Sequence, residues 1–155
     1  VVTRSAEVAR LARAAGAATV LHSLPGRNDT VRLGLDALLG ECPGLGGCIF
    51  LPGDQPLLRR ESLEAMVRDF HAQKETERVI LRLGWRAGGA EPLLGSPVLF
   101  GSGHFDALRA LPEGKGGGVV IRQHPGCVRA VYAQSAEELE DADTVERLEA
   151  LKRFL

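Results

Sequence analysis

The chain has 155 residues, 45% of them hydrophobic and 25% charged, with 19 basic and 20 acidic side chains for a net charge of −1. That length and balance predict one soluble globular domain over residues 1–155 with a sizeable core. They argue against a protein whose main partner is a nucleic-acid backbone, which would carry a basic excess. No apolar run approaches the ~18 residues of a membrane span, and the first residues carry no basic-then-apolar leader.

The elements alternate along the chain. "VVT" is a strand stub, as though the sequence opens inside a strand. From Ser5, apolar residues recur at Val8, Leu11, Ala12 and Ala15 on helical spacing until Gly16 stops them. "ATVLHSL" is a strand and "PGRND" a loop. A second helix starts near Asp29 or Thr30, with Val31, Leu35 and Leu38 on one face. "GCIFLP" is a strand whose continuous apolar run predicts burial on both faces. Leu63, Met66, Val67 and Phe70 mark a third helix.

"RVILRLGW" is the next strand, followed by a Gly-rich loop from Trp85 to Leu94 that either covers a ligand or merely connects strands. "SPVLF" is a short strand, and Phe105, Leu108 and Leu111 define a helix. "PEGKGGG" is a loop, "VVIRQH" a short helix or strand, and "CVRAVYA" a late strand. Val145, Leu148, Leu151 and Leu155 give a closing helix. Strand–helix alternation with apolar strands predicts an α/β fold with a mostly parallel sheet covered by helices.

In such a sheet, ligands bind beyond the carboxyl ends of the strands. Asp54 stands there, between Gly53, which lets the backbone turn, and Gln55-Pro56, which ends the strand. Taken alone it reads as a turn residue. A carboxylate so placed also suits Mg²⁺, which takes one or two carboxylates and leaves other positions to water and phosphate.

The stretch Pro25 to Leu35 enters a helix, with Asp29 or Thr30 as cap and Arg27 and Arg32 available to an anion. Late in the chain, Asp143 with Glu146 fits a capping box, while Asp141 lies outside it. A cap and a metal ligand are compatible, since a carboxylate has two oxygens.

Several motifs fail. Gly116, not Ser or Thr, follows Lys115, so "EGKGGG" is no Walker loop. "GSGHFD" lacks the third glycine of a dinucleotide fingerprint. His22, His71, His104 and His124 are scattered, and no serine stands in G-x-S-x-G. Cys42, Cys48 and Cys127 form no C-x-x-C pair and read as reduced thiols of a cytoplasmic protein.

The ordered set "FLPGDQPLL", "GSPVLF", "LPEGKG" and "LEDADTVERLEAL" resembles the molybdenum cofactor cytidylyltransferases within the MobA-like nucleotidyltransferases. Those carry "L-x-DQP", "G-x-PV-x-F", "GDKGA" and "DIDTPEDL". "RNDTVRLGL" also resembles the "R-x-DSV-x-x-GL" segment of the methylerythritol cytidylyltransferases. The resemblance spans essentially the whole chain. It implies a Rossmann-like, GT-A-like three-layer fold whose first βα unit, ~30 residues with the glycine-rich triphosphate loop, lies upstream of Val1.

The implied reaction transfers CMP from CTP to a molybdopterin-type phosphate with release of pyrophosphate, or uses GTP, or serves a polyol or sugar phosphate. A non-catalytic cofactor-delivery protein is the remaining alternative. The resemblance also implies a handover to a molybdoenzyme of the xanthine dehydrogenase type. Asp54 matches the family's Mg²⁺-binding Asp, and Asp143 or Asp141 the second carboxylate. Gly26, Arg27 and Thr30, with Gly53 beside Asp54, match nucleotide-facing positions. Lys115 matches the lysine of the "DKG" loop, near the acceptor phosphate.

Overall fold

The computed structural model describes residues 1–88 and 91–154. Its elements in chain order are β1 (Val2–Thr3), α1 (Ala6–Ala14), β2 (Val20–Leu21), α2 (Arg27–Glu41), β3 (Gly47–Phe50), α3 (Arg60–Ala72), β4 (Ile80–Trp85), β5 (Leu93–Gly101), α4 (Phe105–Arg109), α5 (Gly118–Gln123), β6 (Val128–Tyr132) and α6 (Val145–Leu151). The fold is α/β, and "VVIRQH" resolves as helix. Among the described residues no helix is long and apolar enough to cross a membrane. Packing divides the chain into two compact units: Val1–Gly46 with Ser102–Pro125, and Gly47–Gly101 with Gly126–Leu155.

In the first unit, β1 and β2 form a two-stranded parallel sheet in the register Val2–Val20 and Thr3–Leu21. The Ser5 side chain accepts from the Val8 N–H at 3.3 Å and caps α1. The apolar stripe expected of α1 is not its buried face: Ala9 is buried, while Val8 and Leu11 stay 45% and 52% exposed. Two strands of two residues each offer too little surface to cover the stripe. Leu35 of α2 is fully buried, with Phe105, Leu108, Leu111 and Val120 also in the core, but Leu38 remains exposed.

In the second unit the sheet order is β3-β5-β4-β6. β4 and β6 run parallel, and β5 runs antiparallel to both β3 and β4. One face of this sheet buries Leu81, Leu83, Leu99 and Val131 against Met66 and Phe70 of α3. Spacing of four along α3 puts those two side chains on the same stripe.

β3 is not buried on both faces. It lies at the edge of this sheet, only Cys48 is buried, and Leu51 just beyond it is 53% exposed. Burial pushes the Cys48 thiol up from 9.0 to about 11. Between β4 and β5 the register shifts at Arg82/Gly84. There Arg82 donates from Nη2 to the Leu94 carbonyl at 2.8 Å and from Nε to that of Gly95 at 3.3 Å. Desolvation lowers its pKa. The Trp85–Leu94 loop lies outside the described residues at positions 89 and 90, and so does Leu155.

Candidate active site

Asp54 occupies a turn four residues past the end of β3, and its side chain is exposed. The backbone of that turn is tied to the late acidic segment. The Ala142 N–H donates to the Asp54 carbonyl at 2.7 Å, and Gln55 Nε2 donates to the Leu139 carbonyl at 3.5 Å. The first bond brings the Asp54 backbone to a residue flanked by Asp141 and Asp143.

The cap of α6 is Thr144, not Asp143. Its Oγ1 accepts from the Arg147 N–H at 3.1 Å. A threonine hydroxyl one residue on satisfies that helix end, so Asp143 is released from the structural duty the capping box gave it. Glu140 is engaged by Arg147 in an ion pair. Among the described residues, Asp54, Asp141 and Asp143 make no side-chain hydrogen bond or ion pair and remain exposed.

No group of three or more His, Cys, Asp or Glu side chains comes together as a metal centre among the described residues. The described residues therefore form no closed, protein-only cage. Open carboxylates on two adjoining segments fit a hard cation that shares its shell with water and phosphate oxygens, the habit of Mg²⁺.

The anchor of this arrangement escaped the sequence. Glu138 is fully buried, and its carboxylate accepts from Ser62 Oγ at 2.5 Å, Gln134 N–H at 2.9 Å and Arg59 N–H at 3.2 Å. It fixes the 3₁₀ turn Ala136–Leu139 to the start of α3, just ahead of Asp141. In the run "AEELEDAD" no pattern distinguishes it from its neighbours.

In the first unit, α2 begins two residues earlier than expected. Gly26 is its cap position, and Asp29 reaches back to accept the Gly26 N–H at 3.2 Å. Neither Asp29 nor Thr30 is the cap. Thr30 Oγ1 lies 3.4 Å from His22 Nε2. The two arginines of the stretch also part company. Arg32 pairs with Asp29 at 3.3 Å and Asp36 at 3.8 Å, and Asp36 takes Arg109 at 2.7 Å. Arg27 is exposed and has no ion-pair partner among the described residues.

Lys115 is exposed in the loop before α5, again with no ion pair among the described residues. Gly26 is buried and Gly53 exposed. Two of the scattered histidines, His104 and His124, lie together, with ring centroids 5.0 Å apart.

Comparison with known proteins agrees with this architecture. A family model for the MobA-like NTP transferase domain matches residues 1–130. No curated protein sequence matches. Among solved structures, Rv0371c from Mycobacterium tuberculosis H37Rv superimposes with a TM-score of 0.70 at 24% identity, over 94% of this chain and 72% of that one. A 4-diphosphocytidyl-2C-methyl-D-erythritol synthase superimposes at 0.68 with 15% identity, over 98% and 79%. The Rv0371c homologue from Mycobacterium sp. strain JC1 gives 0.63 with 22% identity, over 90% and 67%. At these identities the structures speak for the fold, and the family model, which covers most of the chain, speaks for descent. The chain belongs to the MobA-like NTP transferase domain family.

Proposed function

We propose that this chain carries a Mg²⁺-dependent cytidylyltransferase that moves CMP from CTP to the phosphate of a molybdopterin-type cofactor. The carrying observation is the Asp54–Ala142 backbone bond, which joins the "GDQP" turn to the "DADT" segment. In the reaction an acceptor phosphate oxygen attacks the α-phosphorus of the nucleotide. The bond from that phosphorus to the bridging oxygen breaks, and pyrophosphate departs with the electron pair. No side chain of the protein need become covalently attached, so its residues bind, orient and stabilise charge.

Asp54 and one of Asp141 or Asp143 hold Mg²⁺, with Gly53 leaving room beside Asp54 for the nucleotide. When bound, the ion neutralises charge on the triphosphate. Gly26, Arg27 and Thr30 face the nucleotide, Arg27 as a cation with no competing carboxylate among the described residues. Lys115 meets the acceptor phosphate as a point charge. The free thiols Cys42, Cys48 and Cys127 favour a reducing, cytoplasmic setting, and a molybdoenzyme of the xanthine dehydrogenase type is the receiver of the product.

The test is pyrophosphate release by the purified protein with CTP or GTP, with and without molybdopterin, across a Mg²⁺ titration. Release that needs CTP, Mg²⁺ and molybdopterin together supports the proposal; release with GTP alone reassigns the nucleotide. Binding of nucleotide or pterin without release would instead identify a delivery protein. One observation favours a second acceptor class. The "RNDTV" entry to α2, which resembles the corresponding segment of the methylerythritol cytidylyltransferases, supports a polyol or sugar phosphate. A screen of phosphorylated acceptors separates the two.

A further inference from the structure

The start of α2 and the loop of residues 112–117 meet through one side chain. Asn28 Oδ1 accepts the Gly114 N–H at 2.9 Å, across 86 positions of sequence. The same oxygen folds back over Gly26, where a Cβ would collide with it. Gly114 holds φ at +69°, a left-handed conformation that glycine adopts without steric cost. Lys115 then donates its N–H to the Pro112 carbonyl at 3.0 Å and closes the turn. One residue further on, a Cβ on Gly116 would stand 2.9 Å from Arg27 Cδ. The loop thus hangs from Asn28 on one side of Lys115 and lies along the stem of Arg27 on the other.

We propose that Asn28 is a positioning residue: it latches the 112–117 loop to the start of α2 so that Lys115 is presented to the acceptor phosphate beside Arg27, which faces the nucleotide. This rests on the nucleotidyltransferase assignment for its ligand, but the latch itself does not. Two cations with no ion-pair partner among the described residues are carried on one short stretch of packed backbone. A neutral amide suits the post. It supplies the acceptor oxygen for Gly114 without placing a negative charge beside the two cations.

The experiment follows cleavage by a lysine-specific endoprotease, by mass spectrometry, at the Lys115–Gly116 and Lys74–Glu75 bonds. Loss of one hydrogen bond from the latch predicts about fivefold faster cleavage after Lys115 in Asn28→Ala, with the Lys74 bond unchanged. Gly26→Ala acts on the same oxygen, so it should give the same increase, and the double variant no more than either alone. Asn28→Asp keeps the acceptor and should cleave at the wild-type rate.

An unchanged Lys115 rate in Asn28→Ala overturns the latch. So does an equal rise at Lys74, which would report general loosening. In turnover, Asn28→Ala and Lys115→Met should alter the same kinetic parameter for the phosphate-bearing acceptor; opposite KM and kcat patterns would overturn the positioning role. If the wild-type protein releases no pyrophosphate, the transferase assignment falls, and the two cleavage rates still decide the latch.

Discussion

The carbonyl of Asp54 and the N–H of Ala142 are joined at 2.7 Å, so two acidic segments nearly ninety positions apart share one backbone bond. The carboxylates beside that bond are exposed and engaged with no cation among the described residues. Their removal should therefore spare the fold and strike the chemistry. Asp54→Asn is expected to lower nucleotide transfer about 100-fold, with a melting temperature within a degree or two of wild type. Asp141→Asn and Asp143→Asn, compared in the same Mg²⁺ titration, identify the second ligand as the one that raises half-saturation. Unchanged transfer in Asp54→Asn would remove the metal assignment.

Glu138 carries the opposite expectation. Its buried carboxylate satisfies two backbone N–H groups and the Ser62 hydroxyl. Glu138→Ala strands those donors and should cost about 3 kcal/mol of stability, read by urea unfolding. Glu138→Gln keeps one acceptor oxygen and should lose less. Because Glu138 docks the turn ahead of Asp141, the Ala variant should also weaken transfer. If it unfolds with wild-type stability, the anchor assignment is wrong.

The contrast between Asp54 and Glu138 shows what a linear sequence discloses. The turn that carries Asp54 was legible because Gly53 and Pro56 punctuate the strand end, and chain breakers act locally. Glu138 was not, because one acid in a run of acids is singled out only by Arg59 and Ser62, some eighty positions away. The same limit explains the caps. A capping box at Asp143 is locally reasonable, yet Thr144 next to it satisfies the helix end equally well, and only the chain path into α6 decides. Helix spacing gave Met66 and Phe70 correctly, since α3 has a full sheet to cover. It gave the wrong face for α1, whose partner sheet is two residues long. The direction of β5 had no signature either. Antiparallel pairing with β3 and β4 depends on where the chain returns, not on side-chain pattern.

Cys48 provides a prediction in pH. Burial disfavours its thiolate and pushes the thiol up to about 11 in the folded chain, against 9.0 for an unperturbed thiol. Between those values the unfolded chain has released the proton and the folded chain has kept it. Stability attributable to Cys48 is thus complete below about pH 9 and declines as pH rises toward 11, by about 2 kcal/mol across the window. Cys48→Ala should flatten that part of the stability–pH curve relative to wild type. Iodoacetamide at pH 8 should label exposed Cys42 well before Cys48. Equal labelling of the two in the folded protein would contradict the burial.

Arg27 and Arg32 look alike in sequence, and the structure separates them. Arg32 is held by Asp29 and Asp36 in partly exposed pairs, contacts of a kind worth about 0–1 kcal/mol. Arg32→Ala should therefore cost little stability and leave nucleotide affinity within about twofold of wild type. Arg27 has no such partner among the described residues, and its stem lies against Gly116. As a charge-assisted donor to phosphate it is worth about 2 kcal/mol, so Arg27→Ala should weaken CTP binding roughly 30-fold. Isothermal titration with CTP and Mg²⁺ measures both. The decisive comparison is the ratio of the two losses: a larger loss from Arg32→Ala would mean that its carboxylate partners release it to the ligand, and that Arg27 is only a solvated side chain.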